Sequence, residues 1–270
     1  MKHILYCEDT PEGIFSAVHR AYRSRWGHSN IEIRVRNGKV QELEFFTETE
    51  EILTDRQQAE NVRNALIRQI GSQAYDMVMD TALSDAADKA DVIYHFLVRG
   101  FENGERTIGC YTDHYVARLN EIDRRVSREA GHWNEFLRFH EHLAERNREQ
   151  DTEAALMRKN TKSLMTARIT PQARVTVLIM PHFADRFPEE NFLIYDAVHD
   201  EAGIHTAGAA WYLTQEIGQQ YPELVQIIRK PEETEEEIER LWKVFFDTIE
   251  VKPRHNEKLQ QSLMPLRFRE

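Results

Sequence analysis

Cysteine is scarce in this chain, and its scarcity argues against several kinds of protein. The 270 residues include only two cysteines, Cys7 and Cys110. Iron–sulfur clusters and four-cysteine zinc sites need more thiolates than two, so we expect neither of them and no cofactor of the chain's own. Two cysteines also cannot build the disulfide framework of a small secreted protein, and a cytoplasmic location is the simplest expectation.

Long apolar runs and familiar catalytic motifs are missing as well. No run approaches the roughly 20 apolar residues that a membrane-spanning helix requires, so we expect no membrane partner. The sequence has no glycine-rich phosphate loop, no G-x-S-x-G and no H-E-x-x-H, which argues against the enzyme classes that these motifs define. What is present is 41% hydrophobic and 10% aromatic residues, a composition typical of a folded globular protein.

Charge is distributed unevenly along the chain. The net charge is −11, which by itself disfavours binding to phosphate. Basic residues nevertheless exceed acidic ones in three segments, 19–39, 118–174 and 252–270. If folding brings these segments together, they would form a phosphate-binding face despite the acidic total. The alternative is that their arginines are scattered and solvated.

Hydrophobic periodicity predicts an α+β protein. "HILY" reads as an opening strand, and Pro11 marks the first position of a helix. "IEIRVRNGKVQELEFF" predicts a hairpin, because alternating apolar residues flank the two-residue turn Asn37-Gly38. "RVTVLIM", "NFLIYDAV" and "IHTAGAAWYLT" predict further strands. The expected sheet is therefore mixed or antiparallel, formed by N-terminal and C-terminal hairpins.

Helical spacing dominates the middle of the chain. Helices are predicted near 72–87, 89–99, 111–126 and 129–148, and His140 falls on the apolar stripe of the last one. We expect a single α+β domain over 1–270, with 54–148 as a helical sub-lobe.

Polar groups crowd into "PHFADRFPEENFLIYDAVHD", a segment that otherwise reads as core. His182, Asp185, Asp196 and His199 are candidate catalytic groups, and Arg186 is a candidate phosphate ligand. A two-histidine, one-carboxylate metal site is chemically reasonable there. Structural ion pairs and braced strand ends explain the same residues, and we predict no metal. These interpretations stay open at the level of sequence.

The C-terminal segment "PRHNEKLQQSLMPLRFRE" interleaves basic residues with leucine, methionine and phenylalanine. Such a pattern suits a nucleic-acid surface. A C-terminal tail that packs on the protein through its apolar side chains would have almost the same sequence pattern. The candidate nucleic-acid ligands are Arg254, Asn256, Arg267 and Arg269.

Four motifs in this order carry a family resemblance: "YCEDTPEGIFSAVHRAY", "GHWNEFLRF", "PHFADRFPEENFLIYD" and "RHNEKLQQSLMPLRFRE". Together they span nearly the whole chain, and they resemble a bacterial family described as DNA metabolism or repair proteins. That family is encoded beside a radical SAM protein, and its domain is sometimes fused to a uracil-DNA-glycosylase-like domain. The resemblance implies a DNA-repair or DNA-modification setting in which the partner carries the iron–sulfur cluster. It implies no particular reaction.

Three functions fit these observations. The first is a DNA-repair or DNA-modification protein that binds nucleic acid and a radical SAM enzyme. The second is an enzyme acting on DNA or a nucleotide through the histidine and aspartate cluster. The third is a protein–protein adaptor without nucleic-acid contact, which the acidic segments 40–113 and 175–251 favour. We expect the first.

Overall fold

A computed structural model describes residues 1–36, 45–143, 163–229 and 241. Two compact units are present, unit 1 (Met1–Arg128 with Ser262–Glu270) and unit 2 (Glu129–Gln261). The predicted α+β class is confirmed, with two sheets in place of the one expected. The prediction of a single domain stays a prediction.

The sheet of unit 1 consists of three parallel strands in the order β2-β1-β3. They are β1 (Lys2–Cys7), β2 (Ile31–Val35) and β3 (Thr47–Glu51). β1 lies between the other two and its last four residues are buried, as expected for a central parallel strand. β2 therefore pairs with β1 in parallel, with His3 opposite Ile31. The Asn37-Gly38 turn of the predicted hairpin and most of its second arm lie outside the described residues, so the hairpin stays a prediction.

Helices accompany this sheet. They are α1 (Pro11–Arg23), α2 (Arg56–Gln69), α3 (Ser72–Leu83) and α4 (Lys89–Asn103). α1 begins as predicted, because the Thr10 side chain accepts a hydrogen bond from the Gly13 amide and Pro11 needs no amide partner. Its buried face includes Ile14 and Val18. α2 to α4, from the predicted helical sub-lobe, belong to the same unit as the sheet.

The carboxyl ends of the parallel strands carry a buried cation. Lys89 is only 3% exposed, and its ammonium donates to the Ser84 carbonyl at 2.7 Å and contacts the Asp9 carboxylate at 2.5 Å. Cys7 ends β1 nearby, and burial raises the pKa of its thiol to about 12. Cys110, in contrast, is exposed. Lys89 thus fixes the loop between β1 and α1 to the start of α4.

Unit 2 contains a five-stranded mixed sheet in the order β4-β5-β6-β7-β8. Its strands are β4 (His140–Leu143), β5 (Ser163–Ile169), β6 (Asn191–Asp196), β7 (Glu201–His205) and β8 (Tyr212–Gln215). β5 and β6 are parallel, and the remaining pairs are antiparallel. The parallel pair is joined through helix α6 (Thr176–Arg186), which forms a βαβ crossover.

Two predicted elements of unit 2 are wrong in type. "RVTVLIM" is predicted to be a strand, but most of it lies in α6. β5 and β6 are parallel, so the chain needs a crossover that returns it to the end of the sheet where β5 began, and α6 is that crossover. The helix predicted over 129–148 ends early. One helix, α5 (His114–Phe136), replaces the two expected there, and His140 begins β4.

Apolar side chains cover both faces of the second sheet. On one face, α6 lies so close to β7 that a Cβ on Gly203 would meet Met180 Sδ at 2.3 Å. On the other face, Leu193 and Ile204 pack in a cluster that includes Val225 of helix α8 (Pro222–Arg229). A short helix, α7 (Ile217–Gln220), precedes α8. Among the described residues, no helix has the length and apolar character needed to cross a bilayer.

Candidate functional site

The turn between β6 and β7 joins two of the predicted catalytic residues. Asp196 ends β6 with 0% exposure, and its Oδ2 lies 2.6 Å from His199 Nδ1. The other oxygen, Oδ1, accepts the amides of Val198 at 2.9 Å and His199 at 3.2 Å. The His199 ring is largely buried but not sealed, with 15% of its side chain exposed. A carboxylate thus fixes one ring nitrogen of a histidine near the surface.

A second carboxylate lies directly across the ladder. Glu201 begins β7, pairs with Asp196 in the register and is 5% exposed. Burial raises the pKa of the Glu201 carboxyl, Arg174 opposes this shift, and Asp196 adds to it. Arg174 Nη1 stands 3.4 Å from Glu201 Oε2, just before α6 begins at Thr176. We call Asp196, His199, Glu201 and Arg174 the turn cluster.

The backbone that holds the turn cluster is tightly fixed. Asp200 adopts φ +52, and its carboxylate accepts the Tyr195 hydroxyl at 3.1 Å and the Gly218 amide at 2.5 Å. A Cβ at position 218 would stand 2.6 Å from Asp200 Oδ1, so only glycine allows this approach. The Asp200 carbonyl also accepts the Glu216 amide at 2.8 Å. Hydrogen bonds from Tyr195, Glu216 and Gly218, which lie outside the turn, therefore fix the turn that carries His199.

The remaining members of the predicted polar cluster lie elsewhere in unit 2. His182, Asp185 and Arg186 are exposed on the last turns of α6. α6 returns the chain from the carboxyl end of β5 to the amino end of β6, whereas Asp196 is the carboxyl end of β6. Six strand residues span roughly 17 Å. The structure therefore brings Asp196 and His199 together and does not bring His182 or Asp185 to them.

Metal ligation finds no support in the described part of the chain. No group of three or more histidine, cysteine, aspartate or glutamate side chains there is arranged to hold a metal ion. Asp196 is occupied by three hydrogen bonds, and His199 Nδ1 is engaged by that carboxylate. The contact with Asp196 involves Nδ1 and not the other ring nitrogen, Nε2.

Only one of the five predicted nucleic-acid ligands, Arg186, lies in the part of the chain that the structure describes. Arg186 is exposed, with its guanidinium carbon 5.6 Å from the centre of the Phe187 ring. The other four candidates, Arg254, Asn256, Arg267 and Arg269, lie outside the described residues.

Many described arginines of the basic segments pair with carboxylates. Arg20 makes two 2.8 Å hydrogen bonds to Glu50. Other pairs join Arg34 to Glu32, Arg36 to Glu8, Arg118 to Asp88 and Arg125 to Asp85. Positive charge held this way contributes little to a phosphate-binding face.

Sequence reasoning missed two members of the turn cluster. Glu201 lies between the predicted strands "NFLIYDAV" and "IHTAGAAWYLT" and was not a candidate, and Arg174 belongs to "RVTVLIM", which was predicted to be a strand. Glu201 could have been found from the register, because residues flanking a tight four-residue turn face each other across the ladder. For Arg174 the sequence holds no comparable local signal.

Replacing Glu201 by glutamine should change how stability depends on pH. The raised pKa means that the folded protein holds this proton more tightly than the unfolded chain, so wild type loses stability as pH rises above 4.5 through the folded-state pKa. Each pKa unit of the shift corresponds to about 1.4 kcal/mol. Urea denaturation from pH 4 to 8 measures this.

The glutamine variant lacks the titrating group, and its stability relative to wild type should rise with pH over that window. Exposed Glu189 provides the control, since Glu189→Gln should follow the wild-type curve. Parallel curves for wild type and Glu201→Gln would contradict the burial argument.

The chain is thus a two-unit α+β protein in which buried carboxylates, a histidine and an arginine cluster at a strand turn. The chain belongs to the family described as a domain of unknown function, DUF4130, which it matches over residues 87–270. The match covers the whole turn cluster. No curated protein sequence matches the chain.

Proposed function

We propose that this protein acts in DNA repair or DNA modification, that its partner is a radical SAM protein, and that the turn cluster transfers a proton on a nucleic-acid substrate. The setting is supported by the sequence resemblance, three of whose four motifs lie within the family match at 87–270. The role of the cluster is supported by one observation, the 2.6 Å contact between His199 Nδ1 and a fully buried carboxylate.

The chemistry follows from how the pair is oriented. With Nδ1 donating to Asp196, the unprotonated nitrogen of neutral His199 is Nε2, which can accept a proton from water or from a substrate N–H or O–H group. The imidazolium that forms is stabilised by the buried carboxylate beside it. The same nitrogen then returns the proton to a leaving group. Asp196 orients the ring.

Glu201 and Arg174 give the cluster a second proton-handling group. The raised pKa of Glu201 favours its protonated form relative to an exposed glutamate, so it can donate where His199 accepts. Two carboxyl groups paired across one ladder thus have different roles set by their surroundings. Arg174, one-third exposed, keeps the site from being uniformly acidic and can approach a phosphate.

The test compares two histidine-to-glutamine variants. DNA would be incubated with the full chain, a radical SAM protein as the proposed partner, S-adenosylmethionine and a reductant. Its nucleosides would then be searched by mass spectrometry for altered bases. His199→Gln should slow formation of the product by about 10²- to 10⁴-fold. His182→Gln, on the exposed end of α6, should act like wild type.

Either of two results would overturn the proposal. Full activity in His199→Gln would mean that the pair only braces the turn. Absence of any altered base, together with no DNA binding at low salt, would remove the DNA setting.

A second candidate is a nucleic-acid-binding partner that performs no chemistry. It is favoured by the two backbone amides that also bind Asp196, because this is how a purely structural aspartate closes a turn. In that case DNA binding weakens steeply with salt in wild type and in His199→Gln alike.

A further inference from the structure

One segment of unit 1 is both basic and rich in aromatic rings, although the chain as a whole is acidic. Residues 19–30, "HRAYRSRWGHSN", contain three arginines, two histidines, a tyrosine and a tryptophan, and no aspartate or glutamate. They form the last turns of α1, a loop, and a 3₁₀ turn over His28–Asn30 that leads into β2. Positive charge interleaved with aromatic rings is the pattern used to bind single-stranded nucleic acid.

The loop in this segment is held in a fixed shape. The Trp26 ring stacks on His3 with centroids 3.9 Å apart and planes 5° apart, and the Arg20 guanidinium lies 4.7 Å from the centre of the same ring. Asn30 Nδ2 donates to the Trp26 carbonyl at 2.8 Å, and Gly27 supplies the φ of +80 that the loop needs. A ligand would meet a preformed loop, which reduces the entropy lost on binding.

Ring surface is exposed beside this loop. Tyr22 is 37% exposed and lies 5.0 Å from the exposed His28 ring and 5.5 Å from Phe101, centroid to centroid. The buried Tyr94 supports both rings, since its hydroxyl is 2.7 Å from His28 Nδ1 and its ring is 6.1 Å from Tyr22. Tyr22 and His28 therefore present aromatic surface from a rigid base.

Two arginines on the segment differ from the paired ones described above. Arg20 is neutralised by Glu50, whereas Arg23 and Arg25 are exposed and no described carboxylate pairs with them. Glu102 is an acid whose charge acts on Tyr22, and its carboxylate also contacts Arg99 at 3.8 Å. Segment 19–30 itself therefore carries net positive charge, with two exposed arginines beside Tyr22 in the sequence, and this charge matches a phosphate backbone.

We propose that single-stranded nucleic acid binds to a surface formed by Tyr22, Arg23, Arg25 and His28, which we call the α1 surface. Its bases stack on the rings of Tyr22 and His28, and its phosphates contact Arg23 and Arg25. The proposal rests on the proposed function, which already requires a nucleic-acid substrate. It adds that this substrate is single-stranded and that the α1 surface of unit 1 binds it. A duplex hides its base faces, so stacking of this kind selects unpaired nucleotides.

The experiment is fluorescence anisotropy with a labelled oligothymidylate and with a duplex of the same length, over a range of salt concentrations. Neutralising two phosphate contacts in Arg23→Gln/Arg25→Gln should weaken single-strand binding roughly tenfold and lower the slope of log affinity against log salt by about 1.4. Tyr22→Leu should weaken binding about tenfold with an unchanged salt slope, because it removes only stacking.

The matched control is Arg124→Gln/Arg128→Gln, which removes the same charge from two exposed positions on α5 and should bind like wild type. Equal loss in this control would mean that only total charge matters and would overturn the assignment. So would tighter binding to the duplex, or a self-association of wild type that Tyr22→Leu abolishes while oligonucleotide affinity stays unchanged.

The two proposals can fail separately. If wild type binds the oligonucleotide and the arginine pair makes no difference, the α1 surface is wrong and the proposed function stands. If wild type binds neither single-stranded nor duplex DNA at low salt, both are wrong.

Discussion

Asp196→Ala is expected to lower the free energy of unfolding by about 3–5 kcal/mol. The carboxylate is fully buried and binds the His199 ring and two backbone amides, so its removal leaves three donors without their acceptor. Chemical denaturation at pH 7 measures the loss. Asp185→Ala is the control, because that aspartate is exposed on α6 and should change stability by no more than about 0.5 kcal/mol.

His199→Ala should cost less, about 2–3 kcal/mol, since Asp196 keeps its two amide donors when the ring is gone. A double-mutant cycle built from the two alanine variants should return a coupling of about 1–3 kcal/mol. A coupling near zero, or an Asp196→Ala variant as stable as Asp185→Ala, would show that the 2.6 Å contact is not a tight interaction in solution.

Asp9→Ala is the second substitution from which we expect a large effect, a loss of about 2–3 kcal/mol. The cost arises at Lys89, whose ammonium is buried and would keep the Ser84 carbonyl as its one partner among the residues that the structure describes. The lower end of the range for buried pairs applies because Asp9 itself is 43% exposed. Thermal and urea unfolding of the full chain provide the measurement.

Lys89→Met should behave differently from Asp9→Ala although it breaks the same pair. Methionine fills most of the space of the lysine stem and needs no partner, while Asp9 returns to water, so stability should stay within about 1 kcal/mol of wild type. This asymmetry identifies the buried cation as the group that needs compensation. A methionine variant as unstable as Asp9→Ala would mean that the pair itself stabilises the loop.

Local signals in the sequence predicted the elements that local forces determine. α1 begins where Thr10 and Pro11 indicate, and β1 and β6 lie in the expected apolar runs. The elements that were wrong depend on pairing at a distance. The strand predicted over "RVTVLIM" is mostly helix α6, because β5 and β6 pair in parallel, and the pairing of β2 with β1 likewise has no signal in the residues of β2 alone.

The site could be predicted only where its members are close in sequence. Asp196 and His199 are three residues apart on one turn, so the turn alone brings them together. Glu201 depends on the register between β6 and β7. His182 and Asp185 were placed with them because "RVTVLIM" was interpreted as a strand, and as a helix it carries them to the other end of β6.

The contrast between the two cysteines has a practical consequence. Cys7 is buried and its raised pKa keeps it as an unreactive thiol, whereas Cys110 is exposed. A maleimide dye added to the native protein therefore attaches at one position, and no cysteine has to be engineered away first. The natural sequence already supplies a single-site handle for fluorescence or spin labels on unit 1.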